Sequence, residues 1–329
     1  MNTADCQIVT VGAYVPDRIV TNDELASFVE TSDQWIQERT GIKERRVVAA
    51  SENASDLGLR AARLALDQVN LGAGELTHVI TATCTPDHLT PSVSCIIAGQ
   101  LETGPVMAFD IEAACTGYIY GISLCRSILA TEARARILFI CVEALTRRLN
   151  WKDRSTCVLF GDGAVAQVLC RGSADAICCV DDTICRSDGS LCDLITIGGG
   201  TACAYDLGHE VDEKFFLAMH GRDTYKYAVR QMVNVCHELL DRNNLTINDI
   251  DLFVPHQANL RIIEAVGSRL ELPMSRVFTN VASYGNTSAA SIPLALAEAR
   301  AQNRIPANAR VLVSAFGAGL TWGAALLRF

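Results

Sequence analysis

Three segments, EAACTG at 112–117, PHQAN at 255–259 and YGNTS at 284–288, decide how this chain of 329 residues is interpreted. Each follows a short apolar run, so each is predicted to lie where a buried strand ends. The first contains a thiol, the second an imidazole and the third a carboxamide. Brought together in a pocket, these groups would form a nucleophile with partners for proton transfer and for an oxyanion. Acyl transfer is therefore the leading reaction class.

Cys115 is the predicted nucleophile because it is expected to stand between a strand and a helix. The N-terminus of a helix offers unpaired N–H groups and partial positive charge, and both favour the thiolate over the thiol. The thiolate is the form that attacks thioesters and other acyl carbons. We therefore expect Cys115 to react as a thiolate that the following helix stabilises.

The composition is that of a globular protein with a large core, since 50% of the residues are hydrophobic and 20% are charged. The length suggests one large or two medium domains. The net charge of −9 argues against a nucleic-acid-binding protein, which needs a basic face. Neither a signal peptide nor an apolar run of the roughly 18 residues that a membrane span needs is evident. The protein is thus expected to be cytoplasmic and not bound to a membrane.

The cysteine content also needs an interpretation. The fourteen cysteines lie at positions 6, 84, 95, 115, 125, 141, 157, 170, 178, 179, 185, 192, 203 and 236. None form a C-x-x-C pair, which weakens zinc-ribbon and thioredoxin-type interpretations. Most lie in apolar runs, where cysteine acts as a small buried hydrophobic residue. We assign all but Cys115 to packing and predict no metal site, because only Cys115 has small polar flanks.

The predicted elements repeat in the same order in the two halves of the chain. The first half has a helix at 54–69, strands at 78–83 and 106–111, a helix at 118–130, and strands at 137–142 and 158–169. The second half has a helix at 224–243, strands at 252–255 and 277–281, a helix at 289–301, and strands at 311–315 and 322–328. Cys115 and Asn286 are thereby placed at equivalent strand-to-helix corners.

Two such units predict an α/β protein with two mixed sheets and helices between and outside them. The corresponding domain boundaries are 1–175 for the half that carries the cysteine and 176–329 for the half that carries the histidine and the asparagine. Strand ends from the two halves would meet at the pseudo-dyad, where the three segments can converge.

Five motifs together give the chain a family resemblance. They are TSDQWIQERTGI at 31–42, FGDGA at 160–164, PHQANLR at 255–261, GNTSAAS at 285–291 and FGAGLTWG at 316–323. In this order and spacing they resemble the β-ketoacyl-acyl-carrier-protein synthase III family, within the thiolase-fold superfamily. The resemblance covers nearly the whole chain, and it implies a thiolase-like fold in which two pseudo-repeated halves form a five-layered αβαβα core.

The resemblance implies a decarboxylative Claisen condensation of an acyl-CoA primer with malonyl-acyl carrier protein (malonyl-ACP), the initiation of type II fatty acid synthesis. The products would be 3-oxoacyl-ACP, CO2 and CoA. Cys115 would take up the acyl group, and His256 and Asn286 would hydrogen-bond the malonyl thioester carbonyl as it becomes an enolate. The backbone N–H groups of Cys115 and Ala318 would form the oxyanion hole. No cofactor is implied beside the two substrates.

The resemblance also implies binding residues. Those expected to contact CoA are Thr31, Trp35, Arg39, Arg154, Gly221 and Asn259. Among them, Trp35 and Arg154 would enclose the adenine. The acidic acyl carrier protein is expected to dock on Lys226, Arg261 and Arg269. The protein is expected to act as a homodimer whose partners are the acyl carrier protein and CoA thioesters.

One departure from the family concerns the acyl tunnel, which a side chain donated across the dimer closes. A bulky Phe there restricts the primer to acetyl-sized groups, whereas this chain has Thr90 with Leu89 beside it. Either the tunnel accepts longer primers, or Leu89 or another side chain fills the gap and acetyl stays preferred. A second departure is the long segment 197–212, which is rich in glycine and acidic residues and is expected to be a surface loop.

Two other functions are considered. A related enzyme of secondary metabolism, which condenses or transfers an unusual acyl group, is the alternative within the same fold. The intact HQAN at 256–259 and GNTSAAS at 285–291 favour the fatty-acid branch. A cysteine-rich metal-binding or thiol-buffering protein without catalysis is the alternative from another class. The scattered cysteines, which lack metal-ligand spacing, argue against it.

Overall fold

The computed structural model describes residues 6–198 and 215–329. Its strands are β1 Gln7–Tyr14, β2 Ile19–Thr21, β3 Glu44–Arg46, β4 His78–Ala82, β5 Met107–Ile111, β6 Ile137–Glu143, β7 Gly163–Cys170, β8 Cys178–Ser187, β9 Ile195–Ile197, β10 Leu217–Met219, β11 Leu252–Pro255, β12 Arg310–Gly317 and β13 Thr321–Arg328. Its α-helices are α1 Asn22–Ala26, α2 Asp33–Thr40, α3 Ala54–Gln68, α4 Val93–Gln100, α5 Gly117–Thr131, α6 Gly221–Arg242, α7 Leu260–Arg269, α8 Val281–Tyr284 and α9 Ser291–Ala301.

Nine strands form one hydrogen-bonded sheet in the order β5-β4-β6-β7-β1-β8-β13-β12-β11. The two halves repeat the same order outward from the centre, β1-β7-β6-β4 and β8-β13-β12-β11. Both mix parallel and antiparallel pairs, as predicted. The predicted separation into two sheets is wrong at one point, because Gln7 and Ile8 of β1 pair with Cys179 and Cys178 of β8 and join the halves.

The helices form three layers around the two half-sheets. Helices α3 and α4 pack on the outer face of the first half, α6 and α7 on the outer face of the second, and α5 and α9 lie between the halves. Side chains alternate accordingly along β6: Leu138 and Ile140 face the outer helices, whereas Phe139 and Cys141 face the central ones. The predicted thiolase-like αβαβα architecture is confirmed.

The repeat has a different register from the predicted one. The first residue of β4 is His78, and the first residue of the equivalent strand β11 is Leu252. The same offset relates the short 3-10 helices that precede α5 and α9, at Ala114–Thr116 and Ser288–Ala290. The first residue of each 3-10 helix has a positive φ, 44° in Ala114 and 48° in Ser288. The two corners therefore share a backbone conformation and not merely an element order.

This register corrects the equivalence of Cys115 and Asn286. When Ala114 is aligned with Ser288, Cys115 corresponds to Ala289, and Asn286 corresponds to Glu112. The predicted strand at 277–281 is also wrong, because only Val277 makes a bridge to β11 and the chain then turns into α8. The path into the second corner thus differs from the β5 path into the first.

The FGDG motif forms the entry to β7 and does not interrupt a longer strand. β7 begins at Gly163, so the predicted strand 158–169 starts too early. The Asp162 carboxylate is buried and accepts the N–H groups of Val48 and Thr146 at 2.8 and 2.9 Å. The predicted domain boundary after residue 175 falls in the loop between β7 and β8.

Candidate active site

A cavity of about 830 Å³ lies where the strand ends of the two halves converge. Cys115, His256 and Asn286 all line it, each from a different element. Most of the remaining wall is apolar, with contributions from Leu145, Phe160, Ile195, Leu217, Met219, Met232, Ile262 and Phe316. The structure therefore brings the three predicted catalytic side chains into one largely apolar space.

Cys115 occupies the middle of the 3-10 helix that leads into α5. The end of β12 approaches it so closely that a Cβ on Gly317 would lie 2.8 Å from the Cys115 backbone nitrogen. Only glycine permits this approach. The Thr116 hydroxyl bonds the Thr321 hydroxyl at 2.7 Å and ties the corner to the β12–β13 turn. Cys115, the predicted nucleophile, is thus held in place by contacts between the two halves.

The sequence predicted a stabilised thiolate at Cys115, but the structure raises the pKa of this thiol. Burial raises the pKa of the Cys115 thiol to about 12, and the Glu143 and Glu112 carboxylates act in the same direction. The nearby Ser288 hydroxyl acts in the opposite direction without overcoming this increase. The thiolate is disfavoured mainly because burial penalises its charge. Cys115 rests as a thiol.

His256 lies directly after β11 and is 3% exposed. Its backbone N–H donates to the Ser314 carbonyl at 2.8 Å, and its Nδ1 lies 2.6 Å from Ser291 Oγ. Burial lowers the pKa of the imidazole to about 3, so the ring is neutral at physiological pH. Nε2 makes no hydrogen bond with the described residues and is the ring nitrogen left for the cavity.

Asn286 is held at both its backbone and its side chain. Its N–H donates to the Leu159 carbonyl at 2.8 Å, and its carbonyl accepts the Gly161 N–H at 3.0 Å. Its Oδ1 accepts the Ser288 N–H at 2.8 Å. Because the oxygen is occupied, the amide NH2, which has no partner in the described part of the chain, is the group available to a ligand.

Ala318 lies at the tip of the turn between β12 and β13 and lines the cavity beside Cys115. Its carbonyl accepts the Thr321 hydroxyl at 2.8 Å, which orients the turn. Gly319 has a φ of 128°, a conformation that side chains rarely allow. The predicted pair of backbone donors, Cys115 and Ala318, is therefore brought to one wall.

Two further residues of the site were not predicted. Glu143, fully buried at the end of β6, accepts the Thr85 hydroxyl at 2.6 Å and the Cys84 N–H at 3.2 Å. Burial raises the pKa of Glu143 to about 7. Cys84, which was assigned to packing, lines the cavity and donates its S–H to Glu143. The only available signal was an acidic residue that closes an apolar run at 137–142.

Four of the predicted CoA residues, Trp35, Arg39, Gly221 and Asn259, line the cavity, and Thr31 and Arg154 do not. Arg154 lies over the Trp35 ring, with its guanidinium carbon 4.9 Å from the centroid, and Arg39 lies 5.2 Å from it. The two groups predicted to enclose an adenine are therefore in direct contact. An adenine can enter between them only if the two side chains separate.

The predicted docking residues are exposed. Arg261 and Arg269 lie at the two ends of α7, and Lys226 on α6 is 3.7 Å from Asp223. Leu89 and Thr90 are exposed and do not line the cavity of their own chain. The segment 197–212 lies outside the described residues from position 199 onward, as does Cys203.

Within the described ranges, 6–198 and 215–329, no three acidic, histidine or cysteine side chains are grouped closely enough to hold a metal ion. None of the helices in these ranges combines the length and the apolar character needed to cross a bilayer.

The fold and the site together define a thiolase-fold acyltransferase. A family model described as 3-oxoacyl-[acyl-carrier-protein] synthase III matches residues 109–189, and the model of its C-terminal part matches residues 240–329. The chain is 53% identical to the β-ketoacyl-[acyl-carrier-protein] synthase III of Nitratidesulfovibrio vulgaris (strain Miyazaki F), over 98% of both chains. It is 48% identical to the Oleidesulfovibrio alaskensis protein of the same name, over 99% of both.

Solved structures agree with these relatives. The 3-oxoacyl-[acyl-carrier-protein] synthase III of Aquifex aeolicus is 41% identical, with a TM-score of 0.90, over 98% of this chain and 100% of that one. The Thermus thermophilus enzyme gives the same identity and TM-score over 98% and 99%. The chain belongs to the β-ketoacyl-[acyl-carrier-protein] synthase III family, whose reaction is the initiating condensation of fatty acid synthesis. The secondary-metabolism alternative is not favoured.

Proposed function

We propose that the chain condenses an acyl-CoA primer with malonyl-ACP in two half-reactions at the cavity around Cys115. In the first, the Cys115 sulfur attacks the acyl-CoA carbonyl, the C–S bond to CoA breaks, and the thiol hydrogen leaves with CoA. The oxyanion of the tetrahedral intermediate is bound by the backbone N–H groups of Cys115 and Ala318. The raised pKa of the thiol means that proton loss must accompany attack.

In the second half-reaction, malonyl-ACP loses CO2 and the electron pair of the broken C–C bond forms an enolate. His256 Nε2–H and the Asn286 amide donate to the thioester oxygen on which that charge collects. The enolate carbon then attacks the acyl group on Cys115, a C–C bond forms, and the sulfur leaves and recovers a proton. Both donors are neutral, so they stabilise the developing charge without pairing with the malonyl carboxylate.

One observation carries this proposal: each donor has its opposite polar atom already engaged. Ser291 lies against His256 Nδ1, and the Ser288 N–H bonds Asn286 Oδ1 at 2.8 Å. The atoms that remain for the cavity are the Asn286 amide NH2 and His256 Nε2, and Nε2 is a donor when the ring hydrogen is on that nitrogen. A site built for hydrolysis would instead need a group that accepts a proton from water.

The test is to follow both half-reactions in the wild-type protein. Incubation with a panel of acyl-CoA thioesters should add one acyl group per chain, located on Cys115 by peptide mass spectrometry. Addition of malonyl-ACP should then remove that acyl group and form one CO2 and one 3-oxoacyl-ACP for each chain. Release of CO2 without a new C–C bond, or acylation elsewhere, would contradict the proposal.

The second part of the proposal concerns the dimer and the primer. β5 is the edge strand of the nine-stranded sheet, and its Met107 is 57% exposed. Leu89 is 81% exposed in a nearby loop whose Asp87 is anchored by the Ser55 N–H at 2.9 Å. Exposed apolar groups on an ordered edge support a homodimer in which this loop reaches the partner's tunnel. Thr90 would then leave room for primers longer than acetyl.

Two variants separate the alternatives for the tunnel. If Thr90 leaves the tunnel open, wild type should be acylated by C6 to C12 acyl-CoAs, and Thr90→Phe should restore acetyl preference. Each buried methylene contributes about 0.8 kcal/mol, so a change of three methylenes is readily measured. If Leu89 fills the gap, wild type prefers acetyl-CoA and only Leu89→Ala accepts longer chains. Light scattering of each variant checks that the dimer persists.

A further inference from the structure

Ser291, the first residue of α9, contacts the imidazole of His256 directly. Its Oγ lies 2.6 Å from Nδ1, and the two residues are 1% and 3% exposed. Ser291 touches no substrate in the proposed reaction and acts only through this contact. Buried polar atoms are costly unless they are paired, so this contact determines how both groups use their hydrogens.

The direction of the hydrogen bond follows from the second contact of the hydroxyl. The Gln257 N–H donates to Ser291 Oγ at 3.4 Å. A hydroxyl has one hydrogen to donate, and among the described residues His256 Nδ1 is the acceptor that the Ser291 hydroxyl bonds. The arrangement that leaves no buried hydrogen without an acceptor has Ser291 accept from Gln257 and donate to Nδ1. The neutral ring then carries its single hydrogen on Nε2, the nitrogen left for the cavity.

The first half of the molecule provides an internal comparison. In the register that aligns β4 with β11, Ser291 and His256 correspond to Gly117 and Ala82. A Cβ on Gly117 would lie 3.1 Å from the Ala82 side chain, so the two positions are neighbours there as well. These two neighbouring positions are thus nonpolar in the first half, whereas in the second half they carry a hydroxyl and an imidazole.

We propose that Ser291 is a positioning residue that holds His256 in the tautomer with its hydrogen on Nε2, so that the ring enters the malonyl step as a hydrogen-bond donor. The consequence for activity rests on the proposed function, whereas the tautomer is a property of the free protein. In this tautomer Nε2 has no lone pair to accept the Cys115 proton. Loss of Ser291 should therefore affect condensation and spare acylation.

The tautomer can be measured without any substrate. The protein is labelled with 15N-histidine, and His256 is assigned among the six histidines by its absence from a His256→Ala sample. Long-range 1H–15N spectra distinguish a ring protonated on Nε2 from one protonated on Nδ1. We expect the Nε2–H pattern in wild type and in Ser291→Thr, which keeps the hydroxyl. An Nδ1–H pattern in wild type would overturn the proposal.

The activity test uses a matched control. Ser314 is equally buried, but its hydroxyl bonds the Gly323 carbonyl at 3.1 Å and not the imidazole. We expect Ser291→Ala to lower the condensation rate with malonyl-ACP about tenfold or more, while acylation of Cys115 stays within about twofold. Ser291→Thr and Ser314→Ala should retain both half-reactions.

Two results would contradict the role of Ser291. One is a Ser291→Ala variant that condenses at the wild-type rate, and the other is an equal loss of the acylation and condensation rates in that variant. If Ser291→Ala does not fold, the spectra of wild type and Ser291→Thr still decide the tautomer. If wild type neither accepts an acyl group nor condenses, the proposed function fails, and the spectra still judge this inference separately.

Discussion

The two strand-to-helix corners share a backbone and differ in chemistry. The corner before α5 carries Cys115, and the equivalent residue before α9 is Ala289. Conversely, Asn286 of the second half corresponds to Glu112 of the first, and His256 corresponds to Ala82. In the proposed reaction the first half supplies the nucleophile, and the second supplies the neutral donors. The two halves of the repeat therefore carry different chemical groups at equivalent positions.

The neighbouring strand ends extend this contrast. β6 ends at Glu143, and its equivalent in the second half, β12, ends at Gly317. Glu143 places a buried carboxylate near Cys115, whereas Gly317 places bare backbone against Cys115. The carboxylate comes from the first half only, whereas the proposed oxyanion hole takes one N–H group from each half, at Cys115 and Ala318. The Glu143 carboxylate therefore helps to keep the Cys115 thiol protonated, and the proposed oxyanion hole lies beside it.

Removal of the nucleophile should give the largest effect. We expect Cys115→Ala to lose acylation by acyl-CoA by at least about 1,000-fold, because the variant lacks the sulfur that forms the thioester. The control is Cys84→Ala, which removes another cysteine that lines the cavity. Intact mass spectrometry after incubation with acyl-CoA measures both. Retained acylation in Cys115→Ala, with loss in Cys84→Ala, would reverse the assignment.

Removal of the donors should affect only the second half-reaction. His256→Ala places at this site the residue that the first half has there, Ala82. We expect this variant and Asn286→Ala to lower condensation about 100- to 1,000-fold, the usual loss for a donor to developing charge. Acylation of Cys115 should change far less. Single-turnover assays of each half-reaction provide the measurement.

The Asn286→Asp variant tests whether the Asn286 NH2 group acts as a hydrogen-bond donor. The carboxylate can still accept the Ser288 N–H but has no hydrogen to donate. If donation to the enolate is the role of Asn286, this variant condenses no faster than Asn286→Ala. Near-normal condensation would show instead that Asn286 serves only to hold the corner.

The sequence predicted the local features of the site, but not the contacts between segments that are distant in the chain. The element order, the converging corners and the three reactive side chains were visible because short apolar runs and small-residue motifs are local signals. Glu143 was not visible as part of the site, because it reaches Cys84 only through the parallel pairing of β4 with β6. Ser291 was quoted within a motif, yet its contact with His256 joins two segments that are distant in the chain.

The raised pKa of Cys115 could not be predicted from the sequence for a related reason. The helix that follows it is encoded locally, but the burial that dominates its pKa comes from the closure of the two halves. The error in the register of the repeat arose in the segment before Asn286. There an apparently strand-forming sequence at 277–281 turns at Asn280, whose side chain bonds Glu298 at 2.9 Å.

The carboxylate behind the nucleophile should have an intermediate effect. Glu143→Gln removes a charge that raises the pKa of Cys115, so the thiolate fraction at a given pH should increase. A fall of one pKa unit would raise the rate of alkylation by iodoacetamide about tenfold. The control, Asp162→Asn, changes another buried carboxylate and should leave that rate unaltered. Equal alkylation rates in wild type and Glu143→Gln would show that the Glu143 charge does not affect the pKa of Cys115.

The same carboxyl should make stability depend on pH. Burial raises the pKa of Glu143 from 4.5 to about 7, so the folded protein binds more protons than the unfolded chain in this window. The free energy of unfolding therefore falls as pH rises from 4.5 to about 7, by at most about 1.4 kcal/mol per unit. Urea denaturation of wild type and Glu143→Gln at several pH values should show this slope only in wild type.

For Asp162 the corresponding window lies lower, between 3.8 and about 6. Asp162→Asn should consequently flatten the curve at more acidic pH than Glu143→Gln. Identical pH profiles for the two variants and wild type would mean that neither carboxyl is protonated on folding.

The smallest expected effect concerns the surface, where the halves differ again. The helix between β4 and β5 is α4, which carries no charged residue, whereas its counterpart between β11 and the Val277 bridge is α7, with exposed Arg261 and Arg269. We expect an acidic carrier protein to dock on α7 and not on α4. Arg261→Glu should raise the KM for malonyl-ACP about fivefold, the value of a solvent-exposed charge pair.

The control is Arg134→Glu, which makes the same charge change at an exposed position in the first half. If α7 is the docking surface, Arg134→Glu leaves the KM for malonyl-ACP unchanged, and neither variant alters acylation by acyl-CoA. Added salt should raise the KM of wild type and narrow its difference from Arg261→Glu, because screening removes the attraction that the variant has already lost. Equal KM increases in the two variants would mean that net charge, and not the α7 surface, governs the encounter.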